Sequence, residues 1–149
     1  MSRMESIDRQ ILSLLARDGR MSYTDIGRET GLSTSAAQQR VRRLEQRGVI
    51  TGYHARVDPS TLGRVLTAFV SLRALDPSRD DALPRQLSEM PEIVSCYSVA
   101  GEASHVLMVR VATPHELEVL LGRIRNLPGG VSTQTTLVLS VPFEDRPLV

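Results

Sequence analysis

Hydrophobic positions in the first 48 residues recur with a helical period. In IDRQILSLLARDG, Ile7, Ile11, Leu14 and Leu15 fall at the spacing that lines one helix face, Asp8 lies in the first turn and Gly19 marks the stop. SYTDIGRETG predicts a second, short helix, with Ser22 and Asp25 at capping-box spacing and Gly31 at its end. Ser33 caps a third, SAAQQRVRRLEQRG, which runs to Gly48 and docks through the narrow apolar stripe Ala37, Val41, Leu44. Two short helices separated by Gly31-Leu32-Ser33 and packed on a first helix form a helix-turn-helix pattern.

After Gly48 the period changes. VITGYHARVD, rich in branched and aromatic residues, reads as a strand, and Asp58-Pro59-Ser60 with Gly63 supplies turn chemistry. The remainder reads strand, helix, strand, strand, helix, strand. VLTAFVSLRAL is the first strand. RDDALPRQLSEM is a helix opened by Ser78 and Asp81, with Pro84 near its first turn. IVSCYSVA and HVLMVRVA are strands flanking a loop at Gly101. Thr113-Pro114-His115-Glu116 combines an N-cap, a proline at the first helical position and a capping-box glutamate, the clearest helix start in the chain. LEVLLGRIRNL follows, stopped by Pro128-Gly129-Gly130, and VSTQTTLVLSVPF closes the sheet. The predicted fold is α+β: a helix-turn-helix head over residues 1–48, a linker strand and hinge over 49–63, and a ferredoxin-like βαββαβ domain over 64–149.

Two helices cover one face of such a sheet. The other face, with Phe69 among its residues, expects either another subunit or the head folded back over it.

Composition narrows the class without naming a partner. With 41% hydrophobic and 23% charged residues, the chain reads as a globular protein, neither a disordered tail nor a membrane span. The start MSRMESIDRQ lacks the apolar core of a secretory signal, so the expected location is cytoplasmic. Cys96 is the only cysteine, which excludes an internal disulfide and a cysteine-based metal cluster; its apolar surroundings predict a buried thiol. The net charge is +1, but it is unevenly distributed. Residues 1–60 carry ten arginines against seven carboxylates, +3, and residues 61–149 carry eight against ten, −2. Any anion-binding surface therefore belongs to the first part.

Candidate chemistry concentrates on the third helix. At about 100° per residue, Ser35, Gln39, Arg42 and Gln46 lie opposite the apolar stripe, Ala36 and Arg43 lie towards one flank, and Arg40 and Arg47 approach the core boundary. Small and amide side chains at the N-terminal end (Thr34, Ser35, Ala36, Gln39) suit an approach to base edges; Arg40, Arg42 and Arg43 suit guanine or phosphate. Ser22, Thr24 and Ser33 are further phosphate donors, beside the exposed N–H groups of helix starts. No acid occurs between Ser33 and Leu44. The partner so predicted is double-stranded DNA.

Enzyme chemistry is not indicated. His54, His105 and His115 are scattered outside any metal-ligand motif, and neither a glycine-rich phosphate loop nor a G-x-S-x-G elbow occurs. Asp80-Asp81 and Glu144-Asp145 are better explained by helix capping and a solvated tail. No enzyme, cofactor or metal is expected. A second reading remains: a ferredoxin-like small-molecule-binding or metabolic module whose helical head does not bind DNA.

The whole arrangement resembles the Lrp/AsnC, or feast/famine, family. The stretches that carry the resemblance are IDRQILSLLARDGR, the turn GLS from Gly31, RVRRLEQRGVITGY from Arg40 to Tyr53, VSCYSVAGEASHVLMVRV and RIRNLPGGVSTQTTLVL, and the pattern is nearest the actinobacterial branch. The resemblance implies a transcriptional regulator of amino-acid or nitrogen-related metabolism with Ser33–Leu44 as recognition helix. It implies that Val49–Val57 pairs with its mate in a second subunit, and that dimers packed sheet to sheet assemble into tetramers or octamers. It also implies a free amino acid as effector, held by the loop Gly101, Glu102, Ala103, Ser104, His105 with Thr133, Thr135 and Thr136 nearby. The family's loop resembles G-x-x-D-Y-x-L, whereas this chain reads GEASHVL. Ser104 in place of the aspartate implies altered or lost effector specificity with assembly retained, since a hydroxyl compensates less charge than a carboxylate.

Overall fold

The computed structural model describes residues 5–149. The chain divides into two compact units, one ending at Arg56 and joined by Phe143–Val149, the other spanning Val57–Pro142. The last seven residues thus group with the head, whereas the sequence assigns them to the ferredoxin-like domain. Residues 1–4 of the predicted head lie outside the described residues.

In the first unit, α1 (Ser6–Arg17), α2 (Tyr23–Thr30) and α3 (Thr34–Gln46) enclose a core of Ile11, Ile26, Ala37, Val41 and Leu44. α3 contributes its whole predicted stripe, whereas of the four positions expected on α1 Ile11 is buried, Leu15 packs against the core, and Ile7 and Leu14 stay half-buried outside it; burying a side chain the size of leucine or isoleucine is worth about 1.5–3 kcal/mol. Ser22 caps α2 by accepting from the Asp25 amide at 3.1 Å, and Ser33 caps α3 by accepting from the Ala36 amide at 3.2 Å. Between them Gly31 turns the chain at φ 73°, in the left-handed region. Gly27 is equally necessary. The Leu32 amide donates to the Gly27 carbonyl at 2.9 Å, and a Cβ on Gly27 would stand 2.5 Å from the Leu32 oxygen. After Gly48, residues 51–58 adopt no regular structure and join no strand of this chain. The predicted linker strand has the composition of a strand but no neighbour here to supply its hydrogen bonds.

The second unit is an antiparallel sheet in the order β2-β3-β1-β4, formed by β1 (Leu66–Ala74), β2 (Ile93–Ser98), β3 (His105–Val111) and β4 (Val131–Leu137). With α4 (Leu83–Leu87) and α5 (Pro114–Arg125) it completes the βαββαβ order. Thr113 accepts from the Glu116 amide at 3.1 Å, and the Glu116 carboxylate accepts from the Ala112 amide at 2.8 Å, as the capping pattern requires. The helix over residues 79–90 is shorter than expected. Asp76 caps a 3-10 turn over Pro77–Ala82, and only Leu83–Leu87 is α-helical, because Pro84 has no N–H to continue the ladder.

Both helices pack on one face, over Ala68, Val70, Leu72, Leu107 and Val109, with Leu83, Leu87, Leu120 and Ile124 fully buried against them. Register places Phe69, Met108, Val106 and Tyr97 on the opposite face, where Phe69 and Tyr97 stay 37% and 52% exposed. Cys96, expected to be buried, is exposed: it sits on the edge strand β2, although partial burial still pushes its thiol up. No helix among the described residues is long and apolar enough to cross a membrane.

Candidate nucleic-acid interface and effector loop

The face of α3 opposite its core stripe is built from short side chains followed by guanidinium groups. Ser35, Gln39, Arg42 and Arg43 are exposed, Ala36 is half-buried, and Ala37, Val41 and Leu44 are buried. The Thr24 and Thr34 hydroxyls stand 3.3 Å apart, so the starts of α2 and α3 meet, and Ser33 and Ser35 Oγ are likewise 3.3 Å apart. These hydroxyls and two capped helix starts form a polar surface suited to a phosphate backbone. Ser22 contributes less: its hydroxyl already donates to Asp25 Oδ2 at 2.7 Å.

The arginines of α3 separate into two kinds. The side chains of Arg42 and Arg43 form no hydrogen bond or ion pair with another described residue. Glu45, the one acid of α3, accepts from the Tyr53 hydroxyl at 2.9 Å. Burial, then that carboxylate, pushes the Tyr53 phenol up to about 12, so the donor is present at any neutral pH. Arg40, counted among the DNA contacts by the sequence, instead turns to the core side. One of its nitrogens, Nη1, donates to Asp8 Oδ1 and to Glu5 Oε2, each at 2.8 Å. Asp8 is only 6% exposed, so Arg40 neutralises a buried charge on α1 and fixes α3 against it. Asp8, then Glu5, raises the already high pKa of this guanidinium.

In the second unit the predicted effector residues divide between two sides of the sheet. Glu102 and Ala103 line a cleft of about 220 Å³ with Ser71, Arg73, Ser132 and Gln134. Ser104 and His105 turn away from it. Ser104 Oγ donates to Asp80 Oδ1 at 2.6 Å, with the Leu72 carbonyl at 3.2 Å, and His105 Nδ1 lies 3.1 Å from the same Oγ. His105 is 4% exposed. Gly101 is exposed, at φ 156°, and its carbonyl accepts from Arg73 Nη2 at 3.4 Å. The three threonines do not gather at the loop. Thr133 pairs with Leu72 and Thr135 with Val70, which places both on the helix-covered side, whereas Thr136 pairs with Phe69 on the other. A strand alternates faces, so Ser132 and Gln134 are the β4 residues that reach the cleft.

Arg73, Asp80, Ser71, Ser132 and Gln134 were missed by sequence reasoning. Nothing in their local pattern marks them; only the pairing register and a loop closing on a distant turn bring them together. Among the described residues, no group of three or more His, Cys, Asp or Glu side chains is placed to hold a metal ion.

Comparison with known proteins agrees with both units. Residues 4–45 match the model of the AsnC-type helix-turn-helix domain, and residues 67–148 that of the Lrp/AsnC ligand binding domain. The chain is 48% identical over 143 residues to the HTH-type transcriptional regulator LrpA of Mycobacterium tuberculosis, covering 96% of this chain and 95% of that protein. A solved structure of a feast or famine regulatory protein from M. tuberculosis complexed with L-methionine superposes with a TM-score of 0.92 at 48% identity, covering 97% of each chain. The Escherichia coli AsnC structure superposes with a TM-score of 0.88 at 26% identity, over 95% of this chain and 96% of that one. A helical head matched to transcriptional regulators along its length removes the reading in which it has no role on DNA.

Proposed function

Because the chain belongs to the Lrp/AsnC family of DNA-binding transcriptional regulators, we propose that it reads DNA with the Ser35–Gln39–Arg42–Arg43 face of α3 and answers to a free amino acid at the 101–105 loop. The observation that carries the DNA part is the pair of exposed, uncommitted guanidinium groups on a helix whose opposite face is wholly core. Gln39, Ser35 and Ala36 approach base edges; Thr24, Ser33, Thr34 and Arg43 hold phosphates, and Ser22 joins them only by releasing Asp25. Arg40 acts by positioning the helix.

The effector part is supported by the M. tuberculosis relative in complex with L-methionine and by the cleft beside Glu102 and Ala103. Two copies join through the Phe69 face of the sheet and through residues 49–57, which lack a strand partner within one chain, and dimers assemble further into tetramers or octamers.

The test is selection of duplex sites from a random library by the full chain, with and without L-methionine, followed by salt titration on the selected site. Replacing Arg43 with alanine is expected to lower the slope of log affinity against log salt by about 0.9 per lost phosphate contact, roughly equally on all sequences. Replacing Gln39 with alanine is expected to relax one base position. If selection enriches no sequence, or if the R42A/R43A double variant binds as the parent does, the assignment of this face is wrong.

A further inference from the structure

We propose that the cleft between Arg73 and Asp80, beside Ser104, recognises the charged end of a free L-α-amino acid, with Asp80 taking the ammonium group and Arg73 the carboxylate. This rests on the effector reading above and names the groups that would do the recognising, neither of which belongs to the 101–105 loop.

The cleft measures about 290 Å³ and is lined by Arg73, Ala74, Pro77, Asp80 and Ser104. Its carboxylate is held in place by the chain. Asp80 Oδ1 accepts from Ser104 Oγ at 2.6 Å and from the Ala74 amide at 3.3 Å, which leaves Oδ2 with no partner among the described residues. The opposite charge is close but unpaired. Arg73 lines the same cleft as Asp80 without forming an ion pair to it, and its one hydrogen bond, to the Gly101 carbonyl, is long at 3.4 Å. Two opposite charges that line one cleft and yet stay unpaired match a zwitterion, whose ammonium and carboxylate are joined through one carbon. Arg73 also lines the cleft with Glu102, Ala103, Ser132 and Gln134, so its guanidinium belongs to both clefts. A carboxylate–ammonium contact here is charge-assisted, stronger than one between neutral groups.

Calorimetry on the full chain with L-methionine, N-acetyl-L-methionine and L-methionine amide tests this. The parent should bind L-methionine, and acetylation of the amine should weaken binding about tenfold or more. Asp80→Asn should weaken L-methionine to a similar degree and should no longer distinguish it from the acetylated form. Arg73→Gln, at an exposed position, should likewise lose the distinction between L-methionine and its amide, and it carries the test if Asp80→Asn does not fold by circular dichroism. Variants that discriminate as sharply as the parent overturn the inference and leave the effector reading standing. A parent that binds none of the common amino acids overturns both.

Discussion

Arg40 and Arg43 stand one helical turn apart on α3 and do opposite work. Arg43 is uncommitted, whereas Arg40 is drawn to Asp8 and Glu5, 32 and 35 residues away in sequence. Periodicity places Arg40 near the core boundary but carries no information about what lies across it, so from sequence the residue reads as a DNA contact. Removing it strands a buried carboxylate. Arg40→Ala is expected to lower stability to urea by about 2–3 kcal/mol, less than a fully buried pair costs because the arginine is about a quarter exposed. Asp8→Asn in the same background should recover part of the loss, since the stranded charge is then gone. Ser104 gives a second residue-scale expectation. Its hydrogen bond, ahead of the Ala74 amide and the nearby His105 and Arg73, holds the Asp80 carboxyl below its ordinary value of 3.8. A depressed folded-state pKa contributes stability that is present above the unfolded value and lost as pH falls through the folded one. Ser104→Ala should therefore lower Tm most at neutral pH, with the gap to the parent narrowing below about pH 3.8. A gap of equal size at pH 7 and pH 3 would show that Ser104 does not stabilise the Asp80 charge.

At the scale of elements, the α2–turn–α3 unit depends on two glycines for different reasons. Gly31 needs its left-handed φ, and space around it is open; Gly27 needs the absence of a side chain. Replacing Gly27 with alanine gains up to about 1 kcal/mol in helix propensity but forces a methyl group onto the Leu32 carbonyl. Overpacking against backbone costs about 1–3 kcal/mol, so the clash wins and Gly27→Ala should lower the urea midpoint of the head. An unchanged or raised midpoint would mean that the turn can open without penalty. The sequence shows Gly31 plainly, because a helix stop is a local signal, but it does not show Gly27, whose constraint comes from a carbonyl five residues on. The same division holds elsewhere. Caps and strands that depend on neighbours in sequence, such as Ser33, Thr113 and β1, were legible. The two candidate effector clefts were not: one depends on which side of β4 each residue faces, the other on a 3-10 turn that returns Asp80 to Ser104. The rule that consecutive strand residues face opposite ways separates Thr135 from Thr136, but only the register with β1 tells which of them lies on the helix-covered side and that Ser132 and Gln134 reach the cleft.

For the whole molecule, the open sheet face and the unpartnered linker point to one consequence. A single head offers one short recognition helix, and specific affinity on duplex DNA comes from two heads set about one helical turn, 34–36 Å, apart. Under the proposed assembly, the face through which copies join is as important to DNA binding as the DNA face itself. Phe69 lies near the middle of the open face, in register with Met108 on β3 and Thr136 on β4, and retains 37% exposure although it is one of only two phenylalanines in the chain. A charge introduced there has to be desolvated when two copies meet, and across a two-fold axis it meets its own image. Phe69→Glu is therefore expected to shift the protein towards monomers in sedimentation equilibrium while each unit stays folded, because the substituted side chain points away from the Val70–Leu107 core. Affinity for a selected two-half-site duplex should fall by about 10²–10⁴, the advantage that linking two heads confers, whereas non-specific binding per head changes little. Arg43→Ala should do the reverse, leaving the assembly intact and weakening DNA binding on every sequence. If Phe69→Glu sediments as the parent does, this face is not where the copies join, and the heads must be paired through another part of the molecule.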